Sequence, residues 1–159
     1  MLPRQTMSWD EYFMYLAVLV SYKSKDPNTQ VGSVLVDRRN CVIGVGFNGM
    51  PQGVDDTQLP WDRSGSCELD RKYLFVCHSE SNALDFCDHT RLDGSRLYVT
   101  LYPCAECSKR VIQNRVSEVV YLSDQYHDTE SCQAARKMFD LAGVKYRQFI
   151  PPTSLTITA

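Results

Sequence analysis

Apolar and polar positions along the first third of the chain predict a helix followed by two strands. Apolar residues recur at helical spacing behind a capping box formed by Ser8 and Glu11, which predicts a first helix over residues 9–22. Two β-rich runs follow at residues 31–36 and 41–47. The short polar link between these runs is too short for a crossover and predicts an antiparallel hairpin.

The remainder of the chain alternates between helical and β-rich patterns. Helices are predicted over residues 78–87, 103–114 and 129–142, a β-like run at 73–76, and strands over 96–101, 117–122 and 144–149. Strands joined through a helix become parallel neighbours, so the last three strands are predicted to be parallel. The expected α/β fold is a three-layer αβα sandwich with a mixed five-stranded sheet.

Length and composition indicate the number of domains and limit the classes of binding partner. With 159 residues, of which 43% are hydrophobic, the chain is expected to form one domain over residues 1–159. The formal net charge of −2 gives no basic surface for a polynucleotide, which favours a small anionic ligand. No apolar stretch is long enough for a membrane span. Seven cysteines without a secretory leader indicate a reducing, cytoplasmic compartment.

Two short motifs carry the candidate chemistry. Cys104 and Cys107 stand three residues apart behind a proline, so both thiolates are expected at the first turn of a helix. His78 is expected at the non-helical first residue of another helix, where it can share space with Glu80. Three zinc ligands and a carboxylate that is not needed as a ligand are typical of a catalytic zinc site with an open fourth position.

A Cys-x-x-Cys pair by itself has two other interpretations, a structural zinc half-site and a redox pair. A closed structural site needs a fourth protein ligand at zinc spacing, and the sequence offers none. A redox pair leaves the His78-x-Glu80 element without a purpose. The catalytic interpretation is therefore the favoured one.

Further motifs identify a resemblance to a known family. Besides the zinc motifs, the chain contains SKDPNTQVG at residues 24–32, GFNGMP at 46–51, LPW at 59–61 and SDQYHD at 123–128. Together these segments resemble the deoxycytidylate deaminase branch of the cytidine deaminase-like superfamily, over residues 8–150 of the chain. The zinc motif indicates only the superfamily, whereas the other segments favour the nucleotide-specific branch.

The resemblance implies an activity and its regulation. The expected reaction is zinc-dependent hydrolytic deamination of dCMP to dUMP and ammonia, which supplies dUMP for thymidylate synthesis. One Zn²⁺ per chain is held by His78, Cys104 and Cys107, and Glu80 moves protons between the activated water and the base. The Asn48-Gly49 turn and the long loop over residues 49–70 are expected to form a subunit-interface site in a homohexamer. There dCTP with Mg²⁺ activates and dTTP inhibits.

Substrate contacts are predicted at five positions. The resemblance implies that Asn48 contacts the deoxyribose and that Ser79, where the family commonly has Ala, offers its backbone amide to the pyrimidine carbonyl. Ser123 and Tyr126 follow the carboxyl end of a predicted parallel strand, where α/β sheets bind ligands. Lys25 is the candidate for the phosphate. Two alternatives stay open: Asn48 tolerated at positive φ in a tight turn, and Lys25 as a solvated lysine.

Two classes of function compete with this assignment. The first is another cytidine deaminase-like enzyme, acting on a free nucleoside, on dCTP, on guanine or on a tRNA adenine, and the acidic charge balance disfavours the tRNA. The second is a catalytically silent interaction protein that keeps zinc as a structural staple. Glu80 disfavours that class, because a structural site does not need the carboxylate.

Overall fold

A computed structural model of the protein describes residues 6–152. In chain order the elements are α1 (Trp9–Ser21), β1 (Gly32–Val36), β2 (Val42–Phe47), α2 (Ser79–Asp85), β3 (Arg96–Leu101), α3 (Ala105–Gln113), β4 (Glu118–Ser123), α4 (Glu130–Ala142) and β5 (Lys145–Gln148). The predicted helices and the predicted strands of the sheet are all found, with ends that differ by at most about two residues. The Ser8 capping box is also confirmed, and α4 ends at Gly143, which has a left-handed backbone (φ 72°).

The strands form one mixed sheet in the order β2-β1-β3-β4-β5. The hairpin of β1 and β2 is antiparallel and β1 pairs with β3 in the same sense, whereas β3, β4 and β5 are parallel. Leu97 lies beside Val119, and Val119 lies beside Tyr146. The predicted antiparallel hairpin and the predicted parallel arrangement of the last three strands are therefore confirmed, and β5 lies at an edge of the sheet.

Alternation along the strands divides the core into two layers. Val34 and Val36 of β1 pack with Phe13 on the face that α1 covers. Leu35 points to the opposite face, where its layer includes Phe139 of α4. Because both faces of β1 are buried, its sequence is an almost continuous apolar run. The sheet with helices on both faces is the three-layer αβα sandwich expected from the sequence.

One local prediction is wrong. The β-like residues 73–76 form no strand; a 3₁₀ helix spans Lys72–Leu74, and the Val76 amide donates to the Lys72 carbonyl at 2.9 Å. The buried Lys72 ammonium forms an ion pair with Asp26, and this contact holds the segment in place of strand pairing. Apolar composition indicates neither burial nor the backbone shape here, because Tyr73 is 57% exposed and Leu74 is 59% exposed.

Three further expectations concern the whole chain. Within residues 6–152, no helix is both long and apolar enough to cross a membrane. All seven cysteines are free thiols. The single domain predicted for residues 1–159 extends at both ends beyond the residues that the structure describes.

Candidate active site

The structure brings the three predicted metal ligands together at the starts of two helices. His78 precedes α2 with φ −78° and ψ 155°, and Cys104 precedes α3 with φ −74° and ψ 171°, so both have extended backbones at N-cap positions. Nδ1 of His78 lies 3.4 Å from Sγ of Cys104 and 3.4 Å from Sγ of Cys107. The three ligand atoms all lie within 4.8 Å of one another.

Close packing against the sheet fixes the start of α2. A Cβ atom on Gly46 of β2 would lie 2.3 Å from the amide nitrogen of Ala83 and 2.3 Å from the carbonyl oxygen of Ser79. Only glycine allows the helix to approach the strand so closely. Nδ2 of Asn82 adds a hydrogen bond of 2.7 Å to the Phe47 carbonyl. The position of His78 therefore depends on the sheet beneath it.

The residues present fit a zinc ion. Zinc with thiolate and imidazole ligands at their usual bond lengths places sulfur and nitrogen about 3.6 Å apart in a tetrahedron. The observed separations of 3.4 Å are close to that value. Within residues 6–152 no fourth His, Cys, Asp or Glu joins the group, and Glu80 is not part of it. The donor set is that of a site with an open position.

The three ligand side chains influence one another's protonation. The pKa of Cys104 is lowered to about 4, by its hydrogen bond with Cys107 and also by the one with His78. The pKa of His78 is raised to about 9, chiefly by Cys104, and the pKa of Cys107 is raised by its hydrogen bond with Cys104 and by burial. Zinc requires deprotonated ligands, so metal binding releases the protons held here.

Glu80 lies in the first turn of α2 and is almost fully buried, with 5% of its surface exposed. Burial raises the pKa of its carboxyl group, because a charge loses its solvation inside the protein, while nearby His78 lowers it. The Ser79 hydroxyl donates to Oε2 of Glu80 at 3.0 Å. A buried carboxylate with a raised pKa beside a metal-ligand cluster is suited to taking up and releasing a proton.

A cavity of about 370 Å³ opens onto these groups, with His78, Glu80 and Cys104 in its wall. Of the five predicted substrate residues, three line it: Asn48, Ser79 and Tyr126. Its size is in the range usual for small-ligand pockets. The site is therefore a cluster of three metal-ligand side chains, with an open fourth position, at the wall of a ligand-sized cavity.

The other two predicted substrate residues do not line the cavity. The Lys25 ammonium contacts a carboxylate oxygen of Asp56 at 2.6 Å, and 73% of the lysine side chain is exposed. Ser123 contributes its backbone carbonyl, which accepts from the amide of Tyr102 at 2.9 Å. Lys25 thus matches the solvated-lysine alternative, and Ser123 helps to position Tyr102, which does line the cavity.

The Asn48 side chain forms hydrogen bonds to residues 26–31 at the wall of the cavity. Its Oδ1 accepts from the Val31 amide at 2.8 Å, and its Nδ2 donates to Asp26 at 3.1 Å and to the Thr29 carbonyl at 3.0 Å. Asn48 does not have a positive φ, so the tight-turn alternative is wrong. Both amide hydrogens are used, and one lone pair of Oδ1 is left for a ligand.

Sequence reasoning missed two cations in the cavity wall. Arg63 donates to Oγ1 of Thr29 at 2.5 Å and to the Tyr126 hydroxyl at 3.4 Å. Lys72 is 6% exposed and pairs with Asp26. Arg63 lies in the long loop over residues 49–70 and Lys72 lies just after it, where the sequence has no hydrophobic period from which to predict which side chains are buried. Only the unusual length of the loop indicates a function.

A mixed sheet whose helices bring His-x-Glu and Cys-x-x-Cys to one cavity defines the cytidine deaminase-like class of zinc proteins. Residues 7–123 match the family described as the cytidine and deoxycytidylate deaminase zinc-binding region. Deoxycytidylate deaminases of Pongo abelii and Homo sapiens are 49% and 47% identical to the chain over 148 residues, covering 93% of it and 83% of each relative. The chain belongs to the deoxycytidylate deaminase family.

A solved structure supports the same fold. The crystal structure of dCMP deaminase from the cyanophage S-TIM5, in complex with dCMP and dUMP, is 26% identical in sequence and has a TM-score of 0.67. The match covers 92% of this chain and 100% of that one. The three-layer fold deduced above is therefore the fold of the family.

Proposed function

We propose that this protein is a zinc-dependent hydrolase that converts dCMP to dUMP and ammonia. The observation that carries the proposal is the buried carboxylate of Glu80, which lines the cavity beside the three metal ligands without belonging to them. A structural zinc site has no use for such a group, whereas hydrolytic deamination needs one. The names of the relatives agree with this chemistry.

His78, Cys104 and Cys107 would hold the zinc, which when bound would supply the Lewis acidity that makes water a nucleophile at neutral pH. The Glu80 carboxylate accepts a proton from the attacking water and delivers it to N3 of the cytosine. Oxygen then bonds to C4. Glu80 carries the second water proton to the exocyclic nitrogen, the C4–N bond breaks, and ammonia leaves. Glu80 ends the cycle ionised, as it began.

The base and sugar are held by residues already placed at the cavity. The Ser79 backbone amide offers a donor to the pyrimidine carbonyl, and the free lone pair of Asn48 Oδ1 accepts from a deoxyribose hydroxyl. Tyr102 and Tyr126 supply aromatic surface for the ring. A ligand that leaves these buried polar groups unpaired is bound poorly, which gives selectivity for a deoxycytidine nucleotide.

Arg63 is the residue we assign to the phosphate, in place of Lys25. Within the described part of the chain Arg63 forms no ion pair, whereas Lys72 is neutralised by Asp26 and Lys25 by Asp56. Its guanidinium lies at the cavity beside the hydroxyls of Thr29 and Tyr126. The fork of N–H donors matches a phosphate group. A free nucleoside has no phosphate and therefore does not form this contact with Arg63.

Regulation by dCTP with Mg²⁺ and by dTTP, in a cytoplasmic homohexamer, completes the proposal. It is supported by the contact of the Asn48-Gly49 turn with the zinc site. The Gly49 amide donates to the Cys77 carbonyl at 3.1 Å, and the Cys77 amide donates to Gly49 at 2.8 Å. Cys77 directly precedes His78, so a nucleotide at this turn acts one residue from a metal ligand. The free thiols suit a reducing compartment.

Ammonia release from dCMP, dCTP, deoxycytidine and cytidine, measured in parallel with the same protein, tests the proposed function. We expect dCMP to have the highest kcat/KM. A higher kcat/KM for either nucleoside would contradict the monophosphate assignment. Absence of ammonia from all four, with zinc bound, would support a silent protein or a different base.

A further inference from the structure

Two buried serines connect the central sheet to the catalytic carboxylate. Ser33 of β1 and Ser79 of α2 are both fully buried, and their Oγ atoms lie 2.7 Å apart. The Ser79 hydroxyl also lies 3.0 Å from Oε2 of Glu80. The side chains of Ser33, Ser79 and Glu80 therefore form a hydrogen-bonded chain that ends at the cavity.

The number of protons available determines which group donates in each hydrogen bond of this chain. An ionised carboxylate only accepts hydrogen bonds, so the single proton of the Ser79 hydroxyl is directed to Glu80. The Ser79 oxygen is then the acceptor in its contact with Ser33, whose proton must be directed to it. Hydrogen bonds arranged in sequence polarise one another, which strengthens the terminal bond to the carboxylate.

We propose that Ser33 and Ser79 are positioning residues for catalysis, which hold Oε2 of Glu80 and leave Oε1 for proton transfer. This inference rests on the proposed function, in which Glu80 moves protons. Among the described residues, Ser79 provides the one side-chain hydrogen bond to Oε2. Without it the carboxylate gains freedom about its terminal torsion, and small losses of alignment reduce turnover.

The same contact distinguishes Ser79 from a serine kept only for its size. The backbone amide of Ser79 is proposed to bind the pyrimidine carbonyl, and a change of its side chain to alanine preserves that amide. Binding of dCMP is therefore expected to survive the substitution while turnover declines. A purely structural role would change stability or zinc content and would not separate kcat from KM.

The experiment compares Ser79→Ala, Ser33→Ala and the double variant, with kcat and KM for dCMP and zinc content measured for each. Ser95→Ala is the matched control. Ser95 is fully buried, its hydroxyl has no partner among the described residues, and it lies before β3, at the end opposite the cavity-lining Leu101. All four variants remove one or two buried hydroxyls.

We expect Ser79→Ala to lower kcat about tenfold and to leave KM within about twofold, as for loss of a hydrogen bond to a charged group. Ser33→Ala should lower kcat about threefold, and the double variant should match Ser79→Ala because Ser33 acts through Ser79. Ser95→Ala should match the wild type.

The proposal is overturned if Ser79→Ala keeps the wild-type kcat, if KM changes in place of kcat, if zinc is lost, or if the two single effects multiply in the double variant. Loss of turnover in Ser95→Ala equal to that in Ser79→Ala would also overturn it. A wild-type protein that releases no ammonia from dCMP rejects the proposed function itself, which is a separate outcome.

Discussion

The buried ion pair of Lys72 and Asp26 should be a main stabiliser of the cavity wall. The Lys72 side chain is 8% exposed and that of Asp26 is 1% exposed. Asp26 also accepts hydrogen bonds from the amides of Asn28 at 2.8 Å and Thr29 at 3.1 Å, and from Nδ2 of Asn48 at 3.1 Å. Breaking the pair by Lys72→Met leaves a buried carboxylate with three neutral donors.

Loss of one partner of a buried ion pair destabilises a protein by about 3–5 kcal/mol. Because three hydrogen bonds to Asp26 remain, we expect about 3 kcal/mol for Lys72→Met, at the lower end of that range. The chain contains a matched control: Lys25 pairs with Asp56, but 73% of its side chain is exposed. Lys25→Met should therefore reduce stability by less than about 1 kcal/mol.

Urea unfolding of wild type, both lysine variants, Asp26→Asn and the Lys72→Met/Asp26→Asn double variant measures these values. The double variant should lose much less than the sum of its single changes, since neither buried group is left charged and unpaired. Equal losses for Lys72→Met and Lys25→Met, or strict additivity at the buried pair, would refute the argument.

The same pair predicts how stability depends on pH. Burial raises the pKa of Asp26, but hydrogen bonds from Lys72 and from the amides of Asn28 and Thr29 outweigh it, so the pKa lies below the ordinary value of 3.8. A carboxyl group with a lowered folded-state pKa stabilises the fold above its unfolded pKa. That contribution should be lost as pH falls below about 3.8, and Lys72→Met should lose less of it.

Three other predictions concern the site. Arg63→Gln should raise KM for dCMP at least about tenfold and leave kinetics on deoxycytidine unchanged; equal effects on both would argue against a phosphate contact. Gly46→Ala should displace α2 from β2 and lower zinc content, and an unchanged metal analysis would contradict that reasoning. Rate against dCMP should be sigmoidal alone and nearly hyperbolic with dCTP and Mg²⁺, with dTTP restoring the sigmoid; hyperbolic curves under every condition would remove the regulatory claim.

The metal ligands could be predicted because their geometry is local. Cys104 and Cys107 belong to one helical turn. His78 lies at the start of a helix, which the sequence indicates because a β-like run changes there to helical spacing of apolar residues. The parallel and antiparallel pairings followed from the lengths of the connections, since a short link gives a hairpin and helix-containing crossovers give parallel neighbours. The predictions of the metal ligands and of the strand pairings both depend on residues close in sequence, so tertiary packing did not change them.

The phosphate candidate could not be predicted because its contact is long-range. Lys25 lies in the recognisable SKDPN motif, yet its side chain turns away from the cavity to Asp56. Arg63 reaches Thr29 across a separation of 34 residues, through a loop without hydrophobic period. The path of that loop, and the burial of Lys72 just after it, depend on long-range packing that a local sequence pattern does not predict.

The central claim is that one carboxylate moves protons beside a zinc ion that it does not hold. Zinc content and dCMP turnover of Glu80→Gln, measured on the same preparation, test it most directly, with Cys104→Ala as the control that removes a ligand. We predict that Glu80→Gln keeps about one zinc per chain and loses turnover by about 10²- to 10⁴-fold, while Cys104→Ala loses zinc. A Glu80→Gln protein that is free of zinc, or one that deaminates dCMP at the wild-type rate, would contradict the account.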